Sequence, residues 1–322
     1  MRDHGGNIDQ AIAAFGGDPH RWIDLSTGIN RCPYPITGIP AHAWTDLPTK
    51  TARQAACEAA SHAYGAAANI ILPVAGAQAA IQLIPPLSTP GRAHILSPTY
   101  NEHAAALRLF GWQVTEVAHM ADLAGADLAV LVNPNNPDGQ RFMPQDVLEL
   151  VDQVGRLVVD ESFADVTPEL SVVPHCGGKG LLVLRSIGKF YGLAGIRLGF
   201  LIGHQDDVSA LATMAGPWSV SGPALALGQL ALADDSWRAA TILRLHREAE
   251  QLDAIAAHAG WRLAGGTGLF RTYETPDAAT AQSNLARHQI WSRIFPYSKT
   301  WLRLGLPGHQ DEWTRMQSAL SR

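Results

Sequence analysis

Short apolar runs alternate with stretches of helical spacing through the first two-thirds of the chain. Ile70 to Val74, His94 to Leu96, Val114 to Val117, Leu128 to Val132, Leu157 to Val159 and Leu181 to Leu184 have the β-branched, uninterrupted character of buried strands. Between them, Gln78 to Ile84, Glu102 to Phe110 and Gln145 to Val154 carry apolar residues at helical spacing. Ahead of the series lie a short amphipathic helix, Ile8 to Phe15, and an alanine-rich helix, Thr49 to Tyr64, which Gly65 is suited to end. Strands separated by helices predict a parallel sheet covered on both faces. After about Gly216 the pattern changes to two long helices, Pro223 to Ala233 and Trp237 to Gly260, and short strands near Leu269–Tyr273 and Trp301–Leu304. The expected division is an N-terminal segment over 1–35 that packs with a small α+β domain over 217–322, and a large α/β domain over 36–216.

The last of the buried strands leads into an unusual elbow. After Leu181–Leu184 the chain turns through Arg185-Ser186 to Lys189, and Gly192, Gly195 and Gly199 punctuate a second apolar run, Phe200-Leu201-Ile202. A lysine in a glycine-rich elbow between two buried strands sits in a partly dry place. There its amine loses a proton more readily and becomes a nucleophile. The plainer reading is a solvated loop lysine, and the choice rests on what surrounds Lys189.

Composition narrows the field. At 322 residues, with 47% apolar and 16% charged residues, the chain is long enough for a substantial core and ordinary enough for a globular protein. The net charge of −5 gives no field for nucleic acid or an anionic membrane. Lysine occurs only at 50, 179, 189 and 299, so a nucleophilic lysine has few candidates. The opening MRDHGGNIDQ has no signal-peptide core, and no apolar run is long enough to span a bilayer. Cys32, Cys57 and Cys176 have neither metal-ligand nor disulfide spacing, and they read as reduced thiols of a cytoplasmic protein. The histidines form no zinc pattern.

Sites in open α/β sheets gather at the carboxyl ends of strands. After Ile70–Val74 come Gly76-Ala77-Gln78, a helix start whose free N–H groups suit a phosphate. After His94–Leu96 come Tyr100 and His103, three apart on one helical face: either two groups addressing one ligand, or a surface tyrosine and a satisfied histidine. After Leu128–Val132 comes NPNNPDG, with more amides than a turn requires. After Leu157–Val159 comes Asp160, a metal ligand or the partner of a cationic ring. No second acidic cluster stands out for a metal, which favours the ring.

In this order and spacing, NPNNPDG, VVDESF and SIGKFYGLAGIRLG resemble the fold-type I pyridoxal-phosphate enzymes, in the class I/II aminotransferase family. The resemblance runs from about Asp24 to Arg303. It implies a mostly parallel seven-stranded sheet with a smaller α+β C-terminal domain, pyridoxal 5'-phosphate as cofactor, and a homodimer with its site at the subunit boundary. Carried over by position, Lys189 is the Schiff-base lysine, Asp160 pairs with the pyridinium nitrogen, and Asn136 bonds the phenolic oxygen. Tyr100 stacks on the ring, with His103 supporting Asp160. Gly76, Ala77, Gln78, Ser186 and Arg197 hold the cofactor phosphate, and Arg303 grips the substrate α-carboxylate. His4-Gly5-Gly6-Asn7 and Asp24-Leu25-Ser26-Thr27-Gly28-Ile29-Asn30 are similar to the threonine-phosphate decarboxylases of cobalamin biosynthesis, where Asn30 lies near the substrate.

The resemblance also implies a phosphorylated amino acid as substrate; its phosphate needs cationic partners, and Arg271 and Arg293 are either candidates for it or surface arginines. Two positions depart from the aminotransferase pattern. Phe163 stands where many relatives have a tyrosine, and Leu47-Pro48 stands where they have Tyr-Pro. A histidinol-phosphate-type aminotransferase is the alternative in the same fold. A sensor resembling this family would carry an additional DNA-binding domain. A nicotinamide dehydrogenase lacks support because no G-x-G-x-x-G follows the first strand.

Overall fold

The computed structural model describes residues 4–321, so the first three residues of the expected N-terminal segment lie outside the described part. The chain divides into two compact units, one of Tyr34–Asn136 and Arg141–Arg238, the other of Met1–Pro33, Pro137–Gln140 and Ala239–Arg322.

The larger unit is built on seven strands: β1 (Ile71–Val74), β2 (Arg92–Leu96), β3 (Gln113–Val117), β4 (Leu128–Val132), β5 (Leu157–Asp160), β6 (Leu181–Ser186) and β7 (Gly199–Gly203). Their spatial order is β1-β7-β6-β5-β4-β2-β3. All neighbours are parallel except β7, which runs antiparallel to both β1 and β6. The sheet is therefore mostly parallel, as expected. Strands β1, β4, β5, β6 and β7 are buried at every position, which is why they read as continuous apolar runs. The edge strand β3 has no fully buried residue and tolerates Gln113, Thr115 and Glu116. Ile95, Val130, Val158, Leu182, Leu184 and Leu201 form one core with Ile81, Leu107 and Trp112.

Helix Lys50–Tyr64 starts at Thr49, whose hydroxyl accepts the Ala52 N–H at 3.1 Å, and ends at Gly65 in the left-handed conformation. The helix Gly222–Ala233 packs along it. Contacts accordingly draw the division after Arg238, whereas the change of pattern in the sequence falls at Gly216. One element is additional to the sequence reading. Gln205–Ala215 is a helix, with Val208 and Leu211 buried and the His204 ring accepting the Asp206 N–H. Its few apolar positions among acids and alanines make it faint as a pattern.

The smaller unit holds a four-stranded antiparallel sheet in the order β10-β11-β9-β8, from β8 (Arg262–Thr267), β9 (Phe270–Glu274), β10 (Arg293–Phe295) and β11 (Ser298–Gly305). Strand β8 carries Gly265 and Gly266 and a register shift against β9, so it lacks an apolar strand signature. The helices Ala278–Arg287 and Gln310–Leu320 are also additional to the sequence reading. Ile23–Asp24 pairs in parallel with Ile290–Trp291, which fastens the N-terminal segment to this unit.

Candidate active site

In the larger unit the carboxyl ends of β1, β5 and β6 meet the amino end of β7. Val74 and Ser186 both pair with Gly199, so these three backbone positions lie level across the sheet. Gly76 caps the helix Ala77–Leu83 with φ +76°, a conformation that favours glycine, and no side chain occupies its cap. A Cβ on Gly76 would sit 2.7 Å from Arg197 Nη2, and one on Gly199 would sit 2.6 Å from the Ala77 nitrogen. Arg197 itself is held at φ 55°, ψ 56°. For a residue with a side chain that conformation costs about 1–2 kcal/mol. The return is a guanidinium laid against a helix start, beside the Ser186 strand end. Backbone N–H groups and a cation in a space that only glycine leaves open, with Ser186 level on the neighbouring strand, are chemically suited to an anion such as a phosphate.

Asp160 ends β5 and is 3% exposed. Its Oδ2 lies 2.9 Å from His103 Nε2, and its Oδ1 accepts from the Ser162 N–H at 3.0 Å and the Ser162 hydroxyl at 2.6 Å. Burial pushes the Asp160 carboxyl up, but the His103 and Ser162 bonds outweigh it and hold the pKa below the ordinary value. Asp160 is therefore a buried anion suited to a cationic partner. The Tyr100 ring stands edge-on to His103 at 6.2 Å, and its hydroxyl donates to Gln78 Oε1 at 3.2 Å. Gln78 Nε2 in turn donates to Glu102 Oε2 at 2.9 Å, which orients the amide. The Gln78 side chain thus has a task that the sequence did not reveal.

Lys189 is half-buried, with its Nζ 5.6 Å from the centroid of the buried Phe163 ring. In the NPNNPDG loop, the Asn133 side chain bonds Phe142 through both its amide atoms. Asn135 accepts from the Thr99 hydroxyl and donates to the Pro98 carbonyl. Two asparagines thus brace the loop itself, and Asn136 is half-buried after them.

A second group forms within the smaller unit. Arg303 on β11 is 7% exposed; its Nη2 donates to the Ser26 carbonyl at 2.7 Å and its Cζ lies 5.1 Å from the Phe270 ring centroid. Arg293 on β10 is its direct cross-strand partner, and both guanidinium groups stand against Phe295, at 5.6 and 5.9 Å. Burial and then the neighbouring Arg293 charge lower the Arg303 pKa to about 10. Asn30 accepts from Arg244 Nη2 at 2.8 Å and from the Cys32 N–H at 3.0 Å. Arg271 has another occupation. It makes two bonds to Asp253, at 3.0 and 2.6 Å, and Asp253 also accepts from the Tyr273 hydroxyl.

Among the described residues no group of three or more His, Cys, Asp or Glu is placed to hold a metal, and no helix is long and apolar enough to cross a membrane. Asp160 is occupied by His103 and Ser162. Ser162 and Arg244 were missed in the sequence. The Asp-x-Ser spacing was a usable signal for the first, and nothing local marked the second.

The chain matches the model of the class I and II aminotransferases over residues 41–317. A Sinorhizobium protein named threonine-phosphate decarboxylase is 42% identical over 328 residues, spanning 99% of this chain and 97% of its own. A Pseudomonas aeruginosa protein of the same name is 40% identical, with the same coverage of both chains. Among solved structures, the histidinol-phosphate aminotransferase of Sinorhizobium meliloti in complex with pyridoxal-5'-phosphate superposes with a TM-score of 0.81. It has 16% identity and covers 99% of this chain and 94% of its own. The L-threonine-O-3-phosphate decarboxylase of Porphyromonas gingivalis gives 0.77 at 20% identity, covering 92% and 98%. With a family model spanning most of the sequence and relatives at 42% and 40% identity over nearly its full length, this chain belongs to the class I and II aminotransferase family.

Proposed function

We propose that the protein is a pyridoxal-phosphate-dependent carboxy-lyase of cobalamin biosynthesis. It removes CO₂ from L-threonine O-3-phosphate and yields (R)-1-amino-2-propanol O-2-phosphate. When bound, the pyridoxal ring accepts the electron pair of the bond that breaks at the substrate α-carbon. The residues present suit that group. Gly76, Ala77, Gln78, Ser186 and Arg197 hold its phosphate, Asp160 retains the proton on the ring nitrogen, and Asn136 serves the phenolic oxygen. Tyr100 covers the ring. Lys189 anchors the cofactor and then carries the proton that replaces the departing carboxylate. Phe163 brings no hydroxyl to this place, so Asn136 meets the phenolic oxygen without the tyrosine many relatives use.

The paired arginines carry the choice of substrate. Two guanidinium groups on directly opposed strand positions match a substrate that bears both a carboxylate and a phosphate. Arg303 takes the carboxylate. Arg293 takes the phosphate, and it borders a cavity of about 280 Å³ that His4, Asn7, Ser26 and Trp291 also line. Arg271, locked to Asp253, supports the fold instead. Replacing Arg293 by alanine should raise KM for threonine phosphate by tenfold or more, on the scale of a lost charge-assisted contact of ~1.5–3 kcal/mol, with a smaller change in kcat. Steady-state assays read this directly. An unchanged KM would remove Arg293 from the site. The reaction itself is tested by supplying threonine phosphate and measuring CO₂. Conversion of a 2-oxo acid to an amino acid without CO₂ release would instead make the protein an aminotransferase.

The protein also acts as a cytoplasmic homodimer on this reading. Ile36, Trp44 and Leu47 are 68%, 67% and 65% exposed within one short segment of the larger unit, more apolar surface than a solitary chain usually leaves in one place. Leu47 lies where relatives carry the tyrosine that reaches a neighbouring cofactor. Light scattering should give a dimeric mass, and changing both Trp44 and Leu47 to aspartate should shift it to a monomer. A wild-type monomer would refute the assembly.

A further inference from the structure

Behind the cofactor contacts the sheet carries a second set of charges with no part in the reaction. Side chains alternate along a strand, so the residues next to Asp160 and Ser186 face the other way. These are Glu161 and Arg185, 0% and 2% exposed. Arg185 donates Nη1 to Glu161 Oε2 at 2.8 Å and Nη2 to Asp165 Oδ1 at 2.7 Å. Its Cζ stands 4.3 Å from the Tyr64 ring centroid. Glu161 also accepts from the Ser171 hydroxyl and the Val172 N–H, at 2.6 and 2.7 Å. Its own N–H donates to the Leu184 carbonyl at 2.9 Å, so the clamp continues the β5–β6 ladder just past Asp160.

The charges are held against a cost. Burial pushes both acids up, and Arg185 only partly counters it. Burial also works against the Arg185 charge, but Asp165, Tyr64 and Glu161 outweigh it and its pKa rises. Buried ion clusters of this kind add little net stability over an apolar filling, and breaking one side of them is destabilising. What such a cluster supplies is fixed geometry. Here that geometry concerns two neighbours in sequence, one facing the ring nitrogen and the other facing the phosphate.

We propose that Arg185 is a positioning residue for the cofactor: by clamping Glu161 and Asp165 from behind the sheet, it sets the spacing between Asp160 and Ser186. The inference rests on the pyridoxal-phosphate reading above. The wild-type protein, stripped of cofactor and titrated with pyridoxal 5'-phosphate, tests that reading first. Absence of a saturable visible absorption and circular-dichroism band in the wild type would refute the cofactor and not the clamp alone.

The clamp is tested in three variants by thermal melting, cofactor Kd and the visible circular-dichroism band. Arg185→Met leaves two acids unpaired and should melt lower and bind cofactor roughly ten- to a hundredfold more weakly, the range for groups that orient a ligand's contacts. The triple variant Arg185→Met, Glu161→Gln, Asp165→Asn leaves no unpaired charge. It should recover the melting temperature while the weak Kd and altered band persist. Arg185→Lys reaches one acid and should restore part of the affinity. A triple variant with wild-type Kd and band overturns the proposal, because the cluster then serves stability alone. If the triple variant does not fold, Arg185→Lys decides: wild-type affinity and band there, despite the lost second arm, also overturn it.

Discussion

Replacing Lys189 with alanine should leave a folded protein whose CO₂ release from threonine phosphate falls by at least about a thousandfold. A lost proton carrier alone accounts for roughly 10²–10⁴, and the lost anchor adds to it. The side chain is half-buried, and the melting temperature should stay within a few degrees of wild type. The check has two parts. Borohydride treatment of the wild type should leave a reduced cofactor adduct that peptide mapping places at position 189. The alanine variant should carry none at Lys50, Lys179 or Lys299 either. An adduct elsewhere, or near-normal turnover by the variant, would remove Lys189 from its role.

Asp160→Ala should be the second severe lesion, lowering kcat on the order of a hundred- to a thousandfold, the scale of losing one preorganised electrostatic group. It also leaves His103 Nε2 and both Ser162 donors without their acceptor, so some loss of stability accompanies it. His103→Ala separates the two effects. His103 is the foremost group holding the Asp160 carboxyl low against burial, and without it the carboxyl pKa rises from its wild-type value. The acid limb of the kcat profile should then move to higher pH, with activity recovering as pH increases. The sign for stability follows from the same shift. A carboxyl depressed in the folded state contributes stability above its unfolded pKa of about 3.9, and that contribution fades as pH falls through the folded value. The wild type should therefore lose stability at acid pH more steeply than His103→Ala. Coincident pH profiles for the two proteins would sever the His103–Asp160 link.

Several of the candidate cofactor residues stand out in the sequence because they follow strands whose burial makes each an unbroken apolar word. β4, β5 and β6 are buried on both faces, so the residues that follow them stand out as the first polar letters after the run. The supports were less legible. Gln78 looked like one more helix-start residue, yet its amide is oriented by Glu102 to meet the Tyr100 hydroxyl. Arg185 looked like the polar end of a strand, yet it is the hub of a buried cluster whose acids lie 24 and 20 residues away in sequence.

Taken alone, the amino-acid sequence determined the alternation of strand and helix, the lysine elbow and the order of polar groups along the sheet edge. These follow from local periodicity and from glycine and proline at single positions, and neither needs a distant partner. Only the tertiary structure decided that β7 enters the sheet antiparallel and brings Arg197 beside Gly76, that Arg293 opposes Arg303, and that Arg271 belongs to Asp253. Each of these depends on which strand lies beside which, a matter of packing between segments far apart in the chain. Periodicity within a segment carries no record of its neighbour.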